Sequence, residues 1–163
     1  MTTIAERGQF PHVLLVEDNK GDATLITLAF RKAEYPSKIS TAETGEAALA
    51  MLAREGQYAL AAAPDIILLD LNLPRMHGLE FLKRIKSDPR LALIPVIVLS
   101  SSDAESDMAA SYLGHAAGFV TKPICLDDYD EIVATLGTYW FKIMQTVATD
   151  DIPDEGRPIR TGT

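Results

Sequence analysis

Apolar residues in this chain gather into short uninterrupted runs: Val13 to Val16, Ile66 to Leu69, Pro95 to Leu99, and the brief Phe119 and Val120. Runs this short, bounded by polar or turn-forming residues, predict strands buried on both faces. Lys38 to Ala42 alternates more weakly and predicts one further strand. The intervening segments change period. From Asp22 to about Ala33, Ala23, Leu25, Ile26, Ala29 and Phe30 recur at three- and four-residue spacing, with Arg31 and Lys32 near the end, which predicts an amphipathic helix. A second helix opens at Thr44 or Gly45, runs through Arg54 and is stopped by Gly56. A third runs from Gly78 to about Ser87, with Leu79, Leu82 and Ile85 on one face, and Asp88 and Pro89 close it. Asp103 to Leu113 predicts a fourth, with Ser102 or Asp103 as its cap. From Leu126 onward Tyr129, Ile132, Val133, Leu136, Trp140, Ile143 and Val147 keep the helical period, which predicts that the last helix is the longest and reaches about Ala148. The sequence then turns to TDDIPDEGRPIRTGT, rich in charge, Pro and Gly, as expected of a disordered tail over 149–163. Residues 1–10 are expected to be an N-terminal tail and 11–148 a single domain.

Strands alternating with helices imply an α/β fold with a parallel sheet covered on both sides, because each parallel crossover must pass over a face. Ligands in such sheets bind beyond the C-terminal strand ends. The residues just past each run are therefore informative. Glu17 and Asp18, Asp70, Ser100 and Lys122 each stand at the end of a different strand, so the fold would bring them all to one rim. Carboxylates within about 4 Å of one another repel by a few kcal/mol per pair at an effective dielectric near 20, so the set needs a cation. Hard oxygen donors suit Mg2+, and no thiolate or imidazole is offered for zinc or copper. A carboxylate beside a divalent ion, a lysine and a serine hydroxyl is poised to attack phosphorus and to hold the three oxygens it acquires.

Composition narrows the class. With 163 residues, 47% apolar and 23% charged, the chain is long enough for one domain with a substantial core. No apolar run has the length of a membrane span, and Glu6 and Arg7 interrupt any signal-peptide pattern, so the cytoplasm is the expected compartment and no membrane contact is expected. The single Cys125 excludes an internal disulfide and reads as a small semi-buried residue. A formal net charge of −8 argues against a nucleic-acid partner and favours a protein or a small ion.

The segments VLLVEDN, IILLDLNLP, VIVLSSS and GFVTKP, in that order and spacing, resemble the receiver domain of two-component response regulators, over about His12 to Trp140. That resemblance implies a flavodoxin-like doubly wound five-stranded parallel sheet, in the order 2-1-3-4-5, with five helices. Taken residue by residue, it implies Asp70 as phosphoacceptor and Asp18 as direct Mg2+ ligand, with Glu17 acting through water and the Asn72 carbonyl completing the protein ligands. Ser100 would bind the phosphoryl group and move on activation, and Lys122 would form its ion pair. Phe119 matches an aromatic switch position, and is equally well read as a core aromatic. Asn72 and Ser102 resemble positions that tune phosphoryl lifetime, a reading no better than plain surface polarity. A sensor histidine kinase would be the phosphodonor.

Two features lie outside that pattern. His77, where the family more often carries an acidic residue, reads as a solvated turn residue. Tyr139, Trp140 and Phe141 are consecutive, and at about 100° per residue they cannot all face one sheet, which predicts a homodimer involving this helix. DLNLP and YWF also resemble the small response regulators that serve bacterial phytochromes. Two rival readings are weaker. A haloacid dehalogenase-type phosphatase or mutase also uses an aspartyl phosphate but wants a second Asp two residues on, where this chain has Asn72. A flavodoxin-like electron carrier wants a Ser, Thr and Gly-rich loop where this chain has the acidic EDNKGD.

Overall fold

The computed structural model describes residues 2–3, 11–34, 37–101, 104–139 and 145–146. Its main sheet consists of β1 (His12–Val16), β2 (Lys38–Ala42), β3 (Ile66–Leu69), β4 (Val96–Ser100) and β5 (Gly118–Thr121). All pairings are parallel and the order is β2-β1-β3-β4-β5, the doubly wound arrangement expected. The helices are α1 (Lys20–Lys32), α2 (Gly45–Ala53), α3 (Gly78–Ser87), α4 (Glu105–Leu113) and α5 (Leu126–Leu136).

The two-residue period of a strand explains why the central runs are apolar without interruption. Val13 and Leu15, Ile66 and Leu68, and Ile97 and Leu99 face α1 and α5, where they pack with Ile26, Phe30, Tyr129 and Val133. The residues between them, Leu14 and Val16, Ile67 and Leu69, and Val96 and Val98, face the opposite core with Ala48, Phe81, Leu82 and Ile85. Two cores share one sheet. Each helix contributes its periodic stripe, and three helix starts carry a cap: Asn19 accepts from the Asp22 N–H, Thr44 from Ala47 and His77 from Leu79. His77 is exposed, as a turn residue should be, and its Nδ1 also caps α3. Of the two residues proposed to cap α4, both lie outside the described residues, and Ala104 occupies the cap position without a side-chain bond.

The register of the strands, more than the shape of the sheet, positions the polar residues at their ends. Val16 pairs with Ala42 on one side and Leu69 on the other, so β1, β2 and β3 end level, while Leu69 pairs with Val98 and β4 runs two residues further to Ser100. Lys86 fastens the approach to β4 by donating to the Ala92 and Ile94 carbonyls at 2.9 and 2.7 Å.

The end of the chain differs from the sequence expectation. The last α-helix stops at Leu136, making α1 and not α5 the longest, and Gly137 to Tyr139 continue as a π-type turn. Gln145 and Thr146 are extended and pair antiparallel with Thr2 and Thr3, so a helix unbroken to Ala148 is excluded. Gly137 costs a helix about 1 kcal/mol relative to alanine. Beyond it, among the described residues, Thr138 and Tyr139 are exposed. Trp140, Phe141, Ile143 and Ser102 lie outside the described residues. Cys125 is exposed at the start of α5, not semi-buried, because it sits in the loop beyond the sheet's rim.

Candidate functional site

Three backbone hydrogen bonds carry the sheet ladder one residue past the strand ends. The Glu17 N–H donates to the Ala42 carbonyl at 2.9 Å, Asp70 to Val16 at 3.0 Å, and Lys122 to Ser100 at 2.8 Å. Each of these polar residues is thus fixed by its neighbour strand before its side chain makes any contact. Glu17 and Asp70 are buried and Ser100 is wholly so, while Asp18 is exposed at the mouth.

Lys122 is the hub. Its Nζ lies 2.7 Å from Glu17 Oε2, 2.9 Å from Asp22 Oδ2 and 3.2 Å from Asp70 Oδ2. Buried carboxylates without such a partner would cost several kcal/mol each, so this ammonium is what allows the rim to form. Burial opposes the Lys122 charge, but its hydrogen bonds to Glu17 and Asp22 and the charge of Asp70 outweigh it and hold the ammonium above the ordinary lysine range. Glu17 moves the other way. Burial of its carboxyl, reinforced by the Asp70 charge, outweighs the Lys122 bond and raises it to about 7. One lysine does not satisfy this many acids.

Oxygens of Glu17, Asp18 and Asp70 lie within 4.8 Å of one another, a spacing that could hold one metal ion. The donors are carboxylates only, which fits a hard divalent cation. Asn72, exposed, comes two residues after Asp70 and donates its N–H to Asp70 Oδ1 at 3.2 Å, which turns that carboxylate toward the mouth. Phe119 is half-buried against the α2–α3 core, below the rim.

The loop after Asp70 is pinned as firmly as the strand. Leu71, Leu73 and Met76 point into the core while Asn72 and Pro74 point out, and the Leu71 carbonyl accepts from both Leu73 at 3.0 Å and Gly78 at 2.8 Å. A Cβ at Gly78 would lie 2.5 Å from the Asp70 carbonyl oxygen and 2.6 Å from Leu71 Cα. Glycine there is what lets α3 approach the backbone of the site.

The rim therefore assembles the expected Glu17, Asp18, Asp70, Ser100 and Lys122 at adjacent strand ends. Asp22 was missed by the sequence reading. Asp22 lies in the first turn of α1 while Asp18 precedes the Asn19 cap, so no helical spacing relates the two, and the contact of Asp22 with Lys122 has no local signal.

The Glu17 environment sets a pH dependence. With its folded value near 7 and its ordinary value at 4.5, the folded state holds a proton that the unfolded state has released between those limits. Stability from this group is thus lost as pH rises through 7, by up to about 3 kcal/mol. A divalent cation bound at this carboxylate cluster would offset the loss. Thermal unfolding with and without Mg2+ at pH 6 and pH 8 should show the larger stabilisation at pH 8; equal shifts would contradict this assignment.

Comparison with known proteins agrees with the geometry. The family model described as "Response regulator receiver domain" matches residues 13–135. Response regulator Rcp1 of a Synechocystis species is 38% identical over 130 residues, which is 80% of this chain and 88% of that protein. The crystal structure of the phosphorylated cyanobacterial phytochrome response regulator RcpA aligns with a TM-score of 0.81 and 41% identity, over 86% of this chain and 100% of that one. That of the Mn(2+)-bound form of Rcp1 aligns at 0.78 and 36%, over 85% and 99%. Fold, strand order and the acidic rim thus coincide with a match over most of the chain: this protein belongs to the response regulator receiver domain family, and it is a response regulator.

Proposed function

We propose that this response regulator accepts a phosphoryl group from a sensor histidine kinase onto Asp70. The observation that carries this reading is the pairing of a buried Asp70 carboxylate with Lys122 at 3.2 Å, beside carboxylates spaced for one cation. Mg2+ is the ion assigned to Glu17, Asp18, Asp70 and the Asn72 carbonyl, and when bound it supplies positive charge to the oxygens of the incoming group. One Asp70 oxygen attacks phosphorus. Lys122 then bonds a phosphoryl oxygen, and the Ser100 hydroxyl takes another. Movement of Ser100 toward that oxygen opens space beneath the rim, into which Phe119 turns as a switch. The protein catalyses only its own phosphorylation and dephosphorylation and has no separate substrate.

The similarity to Rcp1 and to RcpA, a phytochrome response regulator, supports a phytochrome-type histidine kinase as partner. The cytoplasm is the proposed compartment; among the described residues no helix is long and apolar enough to cross a membrane. Transfer of radiolabelled phosphate from such a kinase to this chain, lost on omission of Mg2+, tests the pairing; a kinase that retains its label in the presence of Mg2+ and this protein argues against it.

Output runs through protein contacts, including a homodimer that uses Tyr139, Trp140 and Phe141. Tyr139 is 49% exposed at the end of the π-type turn. Light scattering should give a dimer for the wild type and a monomer for Trp140→Ala. Identical masses would remove Trp140 from the interface.

A further inference from the structure

Asp22 stands in the first turn of α1, apart from the carboxylates spaced for a cation, yet its Oδ2 is 2.9 Å from Lys122 Nζ. An ammonium has three N–H donors. Glu17, Asp22 and Asp70 supply three acceptors at 2.7, 2.9 and 3.2 Å, so a phosphoryl oxygen arriving at Asp70 meets a lysine whose donors are all engaged. One contact must yield. Glu17 is buried and also held by the Asn19 N–H at 3.1 Å. The Asp22 side chain is 32% exposed, so water can replace Lys122 as its partner at the least cost. Asp22 also places a negative charge 2.9 Å from the ammonium that the phosphoryl oxygen has to reach.

We propose that Asp22 is a positioning residue for phosphoryl transfer: a latch that engages Lys122 in the unmodified site and slows the approach of anionic phosphodonors. The inference rests on Asp70 being the acceptor. With an acyl phosphate as donor, the Asp70 Oδ–P bond forms as the bridging O–P bond breaks, and the electron pair leaves on the carboxylate product. Lys122 meanwhile exchanges its hydrogen bond to Asp22 for one to a phosphoryl oxygen, and no proton changes owner. The latch differs from a structural ion pair because it acts through charge at one step.

The test is the rate of phosphoryl gain from acetyl phosphate at saturating Mg2+, read by intact mass, for wild type, Asp22→Asn and Asp22→Glu. Asp22→Asn should react about tenfold faster at low ionic strength, the gap narrowing to about twofold in 1 M salt as the charge is screened. Asp22→Glu, which restores the charge, should keep the slow rate. In the unmodified protein the Lys122 ammonium resonance, protected while all three N–H groups are held, should broaden in Asp22→Asn. An Asp22→Asn rate equal to or below that of a wild type that does gain the group overturns the latch and leaves Asp70 as acceptor. A wild type that gains nothing overturns the Asp70 reading, and the latch with it.

Discussion

Lys122→Ala is expected to destabilise the metal-free protein by about 3–5 kcal/mol at pH 8, the usual cost of removing one partner from a buried charge cluster. The reason lies in who loses a partner. Lys122 meets Glu17, Asp22 and Asp70 within 3.2 Å, and two of those carboxylates are buried. Without the ammonium, Glu17 and Asp70 face each other with the Asn19 and Asn72 N–H groups as their donors. The loss should be smaller at pH 6, since Glu17, already raised to about 7, can take up a proton and remove one charge. Millimolar Mg2+ should recover part of it at pH 8. Chemical denaturation at both pH values, with and without Mg2+, measures all of these. A loss below about 1 kcal/mol at pH 8, or a loss independent of pH, would show that Lys122 is not the counter-charge of the rim.

Gly78→Ala should cost about 1–3 kcal/mol, more than an exposed helix start would suggest. Alanine normally favours a helix over glycine by about 1 kcal/mol. Here the new methyl group would stand 2.5 Å from the Asp70 carbonyl oxygen and 2.6 Å from Leu71 Cα, both backbone atoms that cannot swing aside. Relief requires α3 to retreat from the loop, which breaks the Gly78 N–H to Leu71 bond of 2.8 Å and releases the backbone that carries Asp70. The variant should therefore lose stability and phosphoryl acceptance together. A variant as stable as wild type would mean that the loop gives way freely.

These two positions mark what can and cannot be read from the sequence. Strands β1, β3 and β4 were legible because burial on both faces leaves no room for polar residues: Ile66 to Leu69 is apolar throughout because alternate residues enter different cores. The ends of those strands were legible for the same reason, as a carboxylate, serine or lysine directly after a buried run must find its partners at the rim. α3 could be placed at Gly78–Ser87 from its stripe and its closing Asp88 and Pro89. The end of α5 could not. Helical spacing persists past Leu136, but spacing records only which side a residue would occupy, and whether a core exists there is a tertiary fact. The contact of Asp22 with Lys122 spans 100 residues of sequence, so no local pattern announces it. The close approach at Gly78 belongs to the same class: the residue reads as a turn glycine, and its φ is not left-handed. Only the packing of α3 on the Asp70 backbone requires it. Phe119 remains what the sequence made it, a half-buried aromatic below the rim that serves the core in this state.

The role of Asp70 is tested most directly by intact mass after incubation with Mg2+ and a small phosphodonor. Wild type is expected to gain one phosphoryl group and Asp70→Asn none. No gain by wild type, or an equal gain by Asp70→Asn, would contradict the assignment of Asp70 as phosphoacceptor.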